Sequence, residues 1–166
     1  AYAFNQDIGA WDTSGVKRME WMFGYSSAFN GDIGAWDTSG VTSLNYMFYR
    51  ASAFDQDLDW CVDDDVSLGS AFSGTPCEST SCGVTQVDDV ANCPTPAPTF
   101  LTQSPTAAPT YTTALPTAAP LDDTTIRTAV AAWFSDATAA EATYGHISDW
   151  ETGRVTDMEY LFSPCV

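Results

Sequence analysis

The sequence predicts an α/β solenoid, each coil made of a short strand, a turn, a short helix and a loop. Three observations lead there. A motif recurs in register: Phe4, Phe29 and Phe54 are 25 residues apart, as are Ile8, Ile33 and Leu58. Within each copy the apolar residues pass from strand-like alternation to helix-like spacing. The flanking segments have the composition of caps, one helical and one rich in cysteine. Periods of about 20 to 50 residues mark stacked architectures, because one short unit cannot bury its apolar face alone.

Each element follows from local pattern. The copies read FNQDIGAWDTSGVKRMEWMFGYSSA, FNGDIGAWDTSGVTSLNYMFYRASA and FDQDLDWCVDDDVSLGSAF, and ISDWETGRVTDMEYLFSPCV repeats the pattern at the far end. D-I-x-x-W is short and alternating, which predicts a strand of about four residues. In W-D-T-S-G-V, Asp12 and Asp37 suit Asx-turns, and Ser14 and Ser39 fall where helix N-caps belong. V-x-x-M/L-x-x-M-F then predicts about two turns of helix with one apolar face. The expected core is Ile8, Trp11, Val16, Met19 and Phe23, then Ile33, Trp36, Val41, Leu44 and Phe48, then Leu58 and Trp60. Ile147, Trp150, Val155, Met158 and Phe162 complete it. A glycan or cofactor platform is the rival reading of this aromatic stripe. Asp7, Asp32 and Asp57 also recur, and are expected to accept from backbone amides at the corners, with a calcium ladder as the rival.

Composition divides the chain into 1–72 (repeats), 73–93 (a Cys-rich C-terminal cap), 94–120 (an extended stalk), 121–142 (an N-cap helix) and 143–166 (a first repeat). Asp122, Asp123 and Thr124 supply capping oxygens for that helix, whose apolar face is Ile126, Ala129, Val130, Trp133 and Phe134. Residues 94–120 hold seven of the nine prolines and no charge. Such a stretch favours polyproline II, about 3.1 Å per residue and so roughly 80 Å in all. Its Ser/Thr content suggests O-glycosylation at Thr95, Thr99, Thr102, Ser104, Thr106, Thr110, Thr112, Thr113 and Thr117, against a plain linker.

Joining Val166 to the Ala1 of another copy yields VTDMEYLF-SPCVAY-AFNQDI, close to the internal junction VTSLNYMF-YRAS-AFDQDL. Cys165, Val166, Ala1, Tyr2 and Phe4 would then form an inter-copy junction. On that reading 121–142 and 143–166 are the N-cap helix and first repeat of the next solenoid, and copies of the chain tile head to tail. Folding of 121–166 back onto residues 1–93 of the same chain is the alternative.

The net charge of −17 leaves no basic footprint for nucleic acid, and no apolar run is long enough to span a membrane. Cys61, Cys77, Cys82 and Cys93 allow two bridges in three connectivities, with Cys61–Cys82 and Cys77–Cys93 preferred, and suit an oxidising, extracellular compartment. Asp63, Asp64 and Asp65 form the densest acidic run, a solvated loop with a weak calcium site as the functional option; no cofactor is otherwise called for. His146 reads as a satisfied turn residue. No nucleophile elbow, P-loop, dinucleotide fingerprint or H-E-x-x-H motif is present, so no enzyme activity is expected.

The motif D-I-x-x-W-D-T-S-x-V-T-x-M-x-x-M-F resembles that of the BspA-type leucine-rich-repeat surface proteins, first catalogued as a domain of unknown function. The resemblance covers residues 1–90 and 121–166. It implies leucine-rich-repeat-like coils in a secreted or cell-surface protein serving adhesion or envelope structure, with no catalytic residues to carry over. This chain departs from it at WCVDDDV, where Cys61 replaces the Asp. The expected function is a structural repeat unit of an extracellular fibre or surface assembly, carrying covalent O-glycans. The alternative is an adhesin module for a glycan or matrix protein.

Overall fold

The computed structural model describes residues 3–93 and 120–163. Its regular structure overturns the α/β solenoid. Among the described residues there is one open, two-stranded parallel sheet, β1 (Cys61–Asp63) with β2 (Thr85–Val87), and two α-helices, α1 (Thr125–Ser135) and α2 (Ala137–Tyr144). Three 3-10 segments complete it, at Glu78–Gly83, Val90–Asn92 and Ile147–Asp149. None of the expected D-I-x-x-W strands and none of the V-x-x-M helices forms. The result is a small mixed fold built largely from turns.

The reason lies in where the backbone N–H groups point. An α-helix sends every N–H to the carbonyl four residues back. Here alternate amides leave the segment: Met19, Trp21, Phe23 and Tyr25 donate to the carbonyls of Ser43, Asn45, Met47 and Tyr49 in the next copy. The intervening Met22, Gly24 and Ser26 close turns onto Met19, Trp21 and Phe23. Turns three residues apart turn Val16, Met19 and Met22 inward just as a helix would, so the apolar spacing alone does not separate the two. Ser14 and Ser39 therefore cap no helix. Their amides donate to Asp12 and Asp37 Oδ1 at 3.0 and 2.9 Å, closing the expected Asx-turns.

Trp21, Tyr46 and Tyr160 occupy the left-handed region at φ 57°, 57° and 58°. For a bulky residue this costs roughly 1–2 kcal/mol, offset here by the amide bonds to the neighbouring copy.

All the expected core residues are buried. The tryptophans stack in the order Trp150, Trp11, Trp36, Trp60 at centroid spacings of 6.0, 6.5 and 6.5 Å. Phe162, Phe23, Phe48 and Phe72 form a second row at 5.4, 5.4 and 5.9 Å. Phe4, Phe29 and Phe54 form a third, each ring interleaved 3.9–4.0 Å from one of the second row. Each indole N–H of this stacked row is satisfied: Trp11 donates to Ile147, Trp36 to Ile8, Trp60 to Gly34 and Trp150 to Gly145 carbonyls.

Close approach of backbones makes one glycine special. A Cβ on Gly9 would sit 2.6 Å from the Asp32 carbonyl oxygen, whereas one on Gly34 would sit 3.4 Å from that of Leu58. Gly9→Ala is expected to cost about 1–3 kcal/mol by overpacking. Gly34→Ala should be neutral, or stabilising by up to about 1 kcal/mol. Urea unfolding of the two variants checks this; equal midpoints would contradict it.

The chain after residue 120 packs on its own first copy, the fold-back that the sequence left open beside service to a neighbouring copy. Asp157 bridges to Arg18 in parallel, as Arg18 does to Ser43 and Ser43 to Ser67. Lys17 donates to Thr156, and Met158, Tyr160 and Phe162 to Arg18, Glu20 and Met22 carbonyls. This order buries Trp150 and Phe162 at once, without waiting for a second molecule.

The single helix expected over 121–142 is broken at Asp136, whose extended backbone (φ −156°) starts α2 and whose carboxylate accepts from the Ala139 amide. Asp122 caps α1 through Thr124 and Thr125, but Asp123 turns away to the Thr156 and Asp157 amides.

At the other end, the bridges are Cys61–Cys93 and Cys77–Cys82, not the preferred Cys61–Cys82 and Cys77–Cys93. Residues 82–87 lie along the third copy: Leu58 donates to Cys82 and Thr85 to Trp60 carbonyls. That alignment keeps buried Cys82 with nearby Cys77 and leaves Cys61, on β1, to the outlying Cys93.

Candidate functional site

The side chains that sequence reasoning singled out fall into separate places. The O-glycosylation candidates, Thr95 to Thr117, lie outside the described residues, as do Ala1, Tyr2, Cys165 and Val166 of the expected junction. Phe4, the remaining junction residue, is buried against Phe162 and Phe29. Among the described residues no three His, Cys, Asp or Glu side chains are arranged to hold a metal ion. Asp63 accepts instead from the Asp65 amide, and the Asp64 amide from β1's end donates to Val87, so this run closes a turn. Asp7 and Asp32 accept from the Gly9 and Gly34 amides at 3.1 Å, as corner residues. His146 Nδ1 meets the Ser148 hydroxyl and amide, and its ring stands edge-on to Trp133.

The corner carboxylates are held in their charged form. The Ser14 hydroxyl, then its amide, lower Asp12; the Ser39 hydroxyl and amide lower Asp37; the Thr125 amide and hydroxyl lower Asp122. A carboxyl depressed on folding contributes stability above its unfolded value, about 3.9 for Asp, and loses it as pH falls through the folded value. The melting temperature should therefore fall as pH drops below about 4. Asp122→Asn should start lower at neutral pH and lose less on acidification. Parallel curves for the two proteins would contradict this.

Two surface features remain. Along the seam between the first copy and the C-terminal segment, Arg18 pairs with Glu20, Asp157 and Glu159, and Arg127 with Asp157. Exposed pairs of this kind are worth little singly, but they tie α1, the C-terminal copy and the first copy together. The Arg127 guanidinium also donates to the Glu159 carbonyl at 2.7 Å.

The second feature is an outer aromatic row that the sequence reading missed. Trp21 stacks on Tyr46 at 4.4 Å and lies near-parallel to Tyr160 and Tyr25 at 6.0 and 6.2 Å, and Tyr49 meets it edge-on. Tyr46 and Tyr160 are 37% and 52% exposed. The signal was available: the fifth residue after Val16, Val41 and Val155 is aromatic in each case, outside the core spacing.

The described residues form a small mixed fold with two α-helices and one open two-stranded sheet. The chain belongs to the family described as Mycoplasma protein of unknown function, DUF285, whose model matches residues 1–82 and 123–166. Comparison with curated proteins and with solved structures gives no match.

Proposed function

We propose that the chain is a non-enzymatic structural unit of an extracellular or cell-surface assembly, akin to the BspA-type leucine-rich-repeat surface proteins. Copies join head to tail, and the Pro/Thr segment carries O-glycans. The observation that supports this reading is the seam. Residues 3–93 and 120–163 share one core through contacts some 136 to 141 positions apart, as in the Trp11–Ile147 and Arg18–Glu159 hydrogen bonds. A seam between two stretches joined by a long connection forms with equal chemistry inside one chain or between neighbours, which is the basis of domain exchange. The disulfides and the acidic, Pro/Thr-stalked composition support the oxidising compartment.

Sedimentation velocity over a wide concentration range tests the assembly. The expected result is a series of species in multiples of the 17.8 kDa chain, with a regular axial spacing in electron micrographs. A single chain-sized species at every concentration would defeat the proposal. Intact mass of the native material reads the glycans directly.

A further inference from the structure

The outer aromatic row has the chemistry of a receptor for an uncharged proline-rich peptide. Trp21, Tyr25, Tyr46, Tyr49 and Tyr160 form one cluster, and the Arg50 guanidinium lies over Tyr49 and Tyr25 at 5.4 and 5.9 Å. The four core indoles all donate to carbonyls. By contrast, among the described residues the Trp21 indole N–H and the four tyrosine hydroxyls have no hydrogen-bond acceptor, and Arg50 has no carboxylate partner. The surface is thus apolar ring edge plus a row of unused donors.

A polyproline segment is the complement of such a surface. Proline has no N–H, and the polyproline II backbone makes no internal hydrogen bonds, so its carbonyls seek donors while its rings seek apolar slots. Its stiffness also leaves little entropy to lose on docking. A sugar would need open ring faces, and the faces of Trp21 are covered by its stacked neighbours. An acidic peptide would be repelled by a chain of net charge −17. Residues 94–120 carry seven prolines, eight threonines and no charge.

They also lie in the right place. That segment leaves at Cys93, tied to Cys61 in the third copy, and returns at Pro120, beside Trp150 in the C-terminal copy. The copies between these points are spaced only 6.0–6.5 Å apart, whereas the segment spans roughly 80 Å when extended. It has ample length to reach the row, which runs across the C-terminal, first and second copies. We propose that the aromatic row of Trp21, Tyr46 and Tyr160, with Tyr25, Tyr49 and Arg50, is the docking surface for the chain's own Pro/Thr segment, residues 94–119. The inference does not depend on assembly of copies, and it is made for the segment without O-glycans.

The test uses the full chain with residues 94–119 replaced by a Gly/Ser segment of equal length, beside the unaltered protein. The readout is the indole N–H resonances of the tryptophans in nitrogen-labelled protein. The expected result is a shift of the Trp21 resonance alone, with the core indoles unmoved as a control on folding. Adding a synthetic peptide of residues 94–120 to the replaced chain should return that resonance saturably, and Tyr46→Ala should weaken the peptide at least tenfold. An unchanged Trp21 resonance, or a peptide that binds Tyr46→Ala as well as the parent, overturns the proposal. So does a shift in the unaltered protein that vanishes on dilution, which would place the occupant in another molecule. Saturation by a neutral oligosaccharide where the peptide has no effect would assign the row to glycans instead.

Discussion

Trp36→Ala is expected to lower the free energy of unfolding by about 3–5 kcal/mol, the range for emptying a buried aromatic position. The ring lies between Trp11 and Trp60, touches Phe23, and is 4% exposed. Its loss opens a void in the middle of the row, where the layers on either side are pinned by backbone hydrogen bonds and have little freedom to collapse. It also leaves the Ile8 carbonyl without its indole donor. The same change at Trp21, on the outer row, should cost far less, because the ring is only half-buried and its N–H meets no acceptor among the described residues. Chemical denaturation of the two variants side by side measures the contrast. Equal losses would mean that the inner row is not the core.

The second large effect concerns the Cys61–Cys93 bridge. It closes a loop over a separation of 32 residues, for which the chain-entropy model gives about 3.7 kcal/mol. A Cys61→Ser/Cys93→Ser double variant should lose that amount and should free β2 from β1, since the bridge ties down the segment that follows β2. The Cys77–Cys82 bridge spans only five positions. Its removal should lose less through chain entropy, although both sulfurs are buried. Amide exchange at Thr85 and Val87 separates the two cases. Protection that survives loss of Cys61–Cys93 would show that sheet pairing alone holds this end.

Much of the interior was legible in the sequence. Register came from identical residues at constant spacing, and any arrangement that stacks such copies puts Ile on Ile and Trp on Trp. The Asx corners were equally plain, because an Asp carboxylate reaching the amide two residues on is a local event. The acidic start of α1 was read as a cap for the same reason, although Asp123 proved to serve the Thr156 amide instead.

What the sequence misstated was the path of the backbone between those fixed points. Apolar residues three and four apart suit a helix and a run of turns alike. The choice rests on whether the amides of Met19, Trp21, Phe23 and Tyr25 find acceptors along their own segment or in the neighbouring one. The disulfide pairing was hidden for a similar reason. It depends on how residues 82–87 lie against the third copy, a relation between segments that no spacing records.

By itself, then, the amino-acid order determined which side chains would be interior and which layer would follow which, because burial and repetition are properties of composition and period. Only the tertiary structure decided the hydrogen-bond partners of the alternate amides, the cysteine pairing and the return of residues 120–163 onto the first copy. It also set a second aromatic row on the outside. Each of these is a competition between distant groups for the same donor, sulfur or apolar face, and such competitions are settled in space.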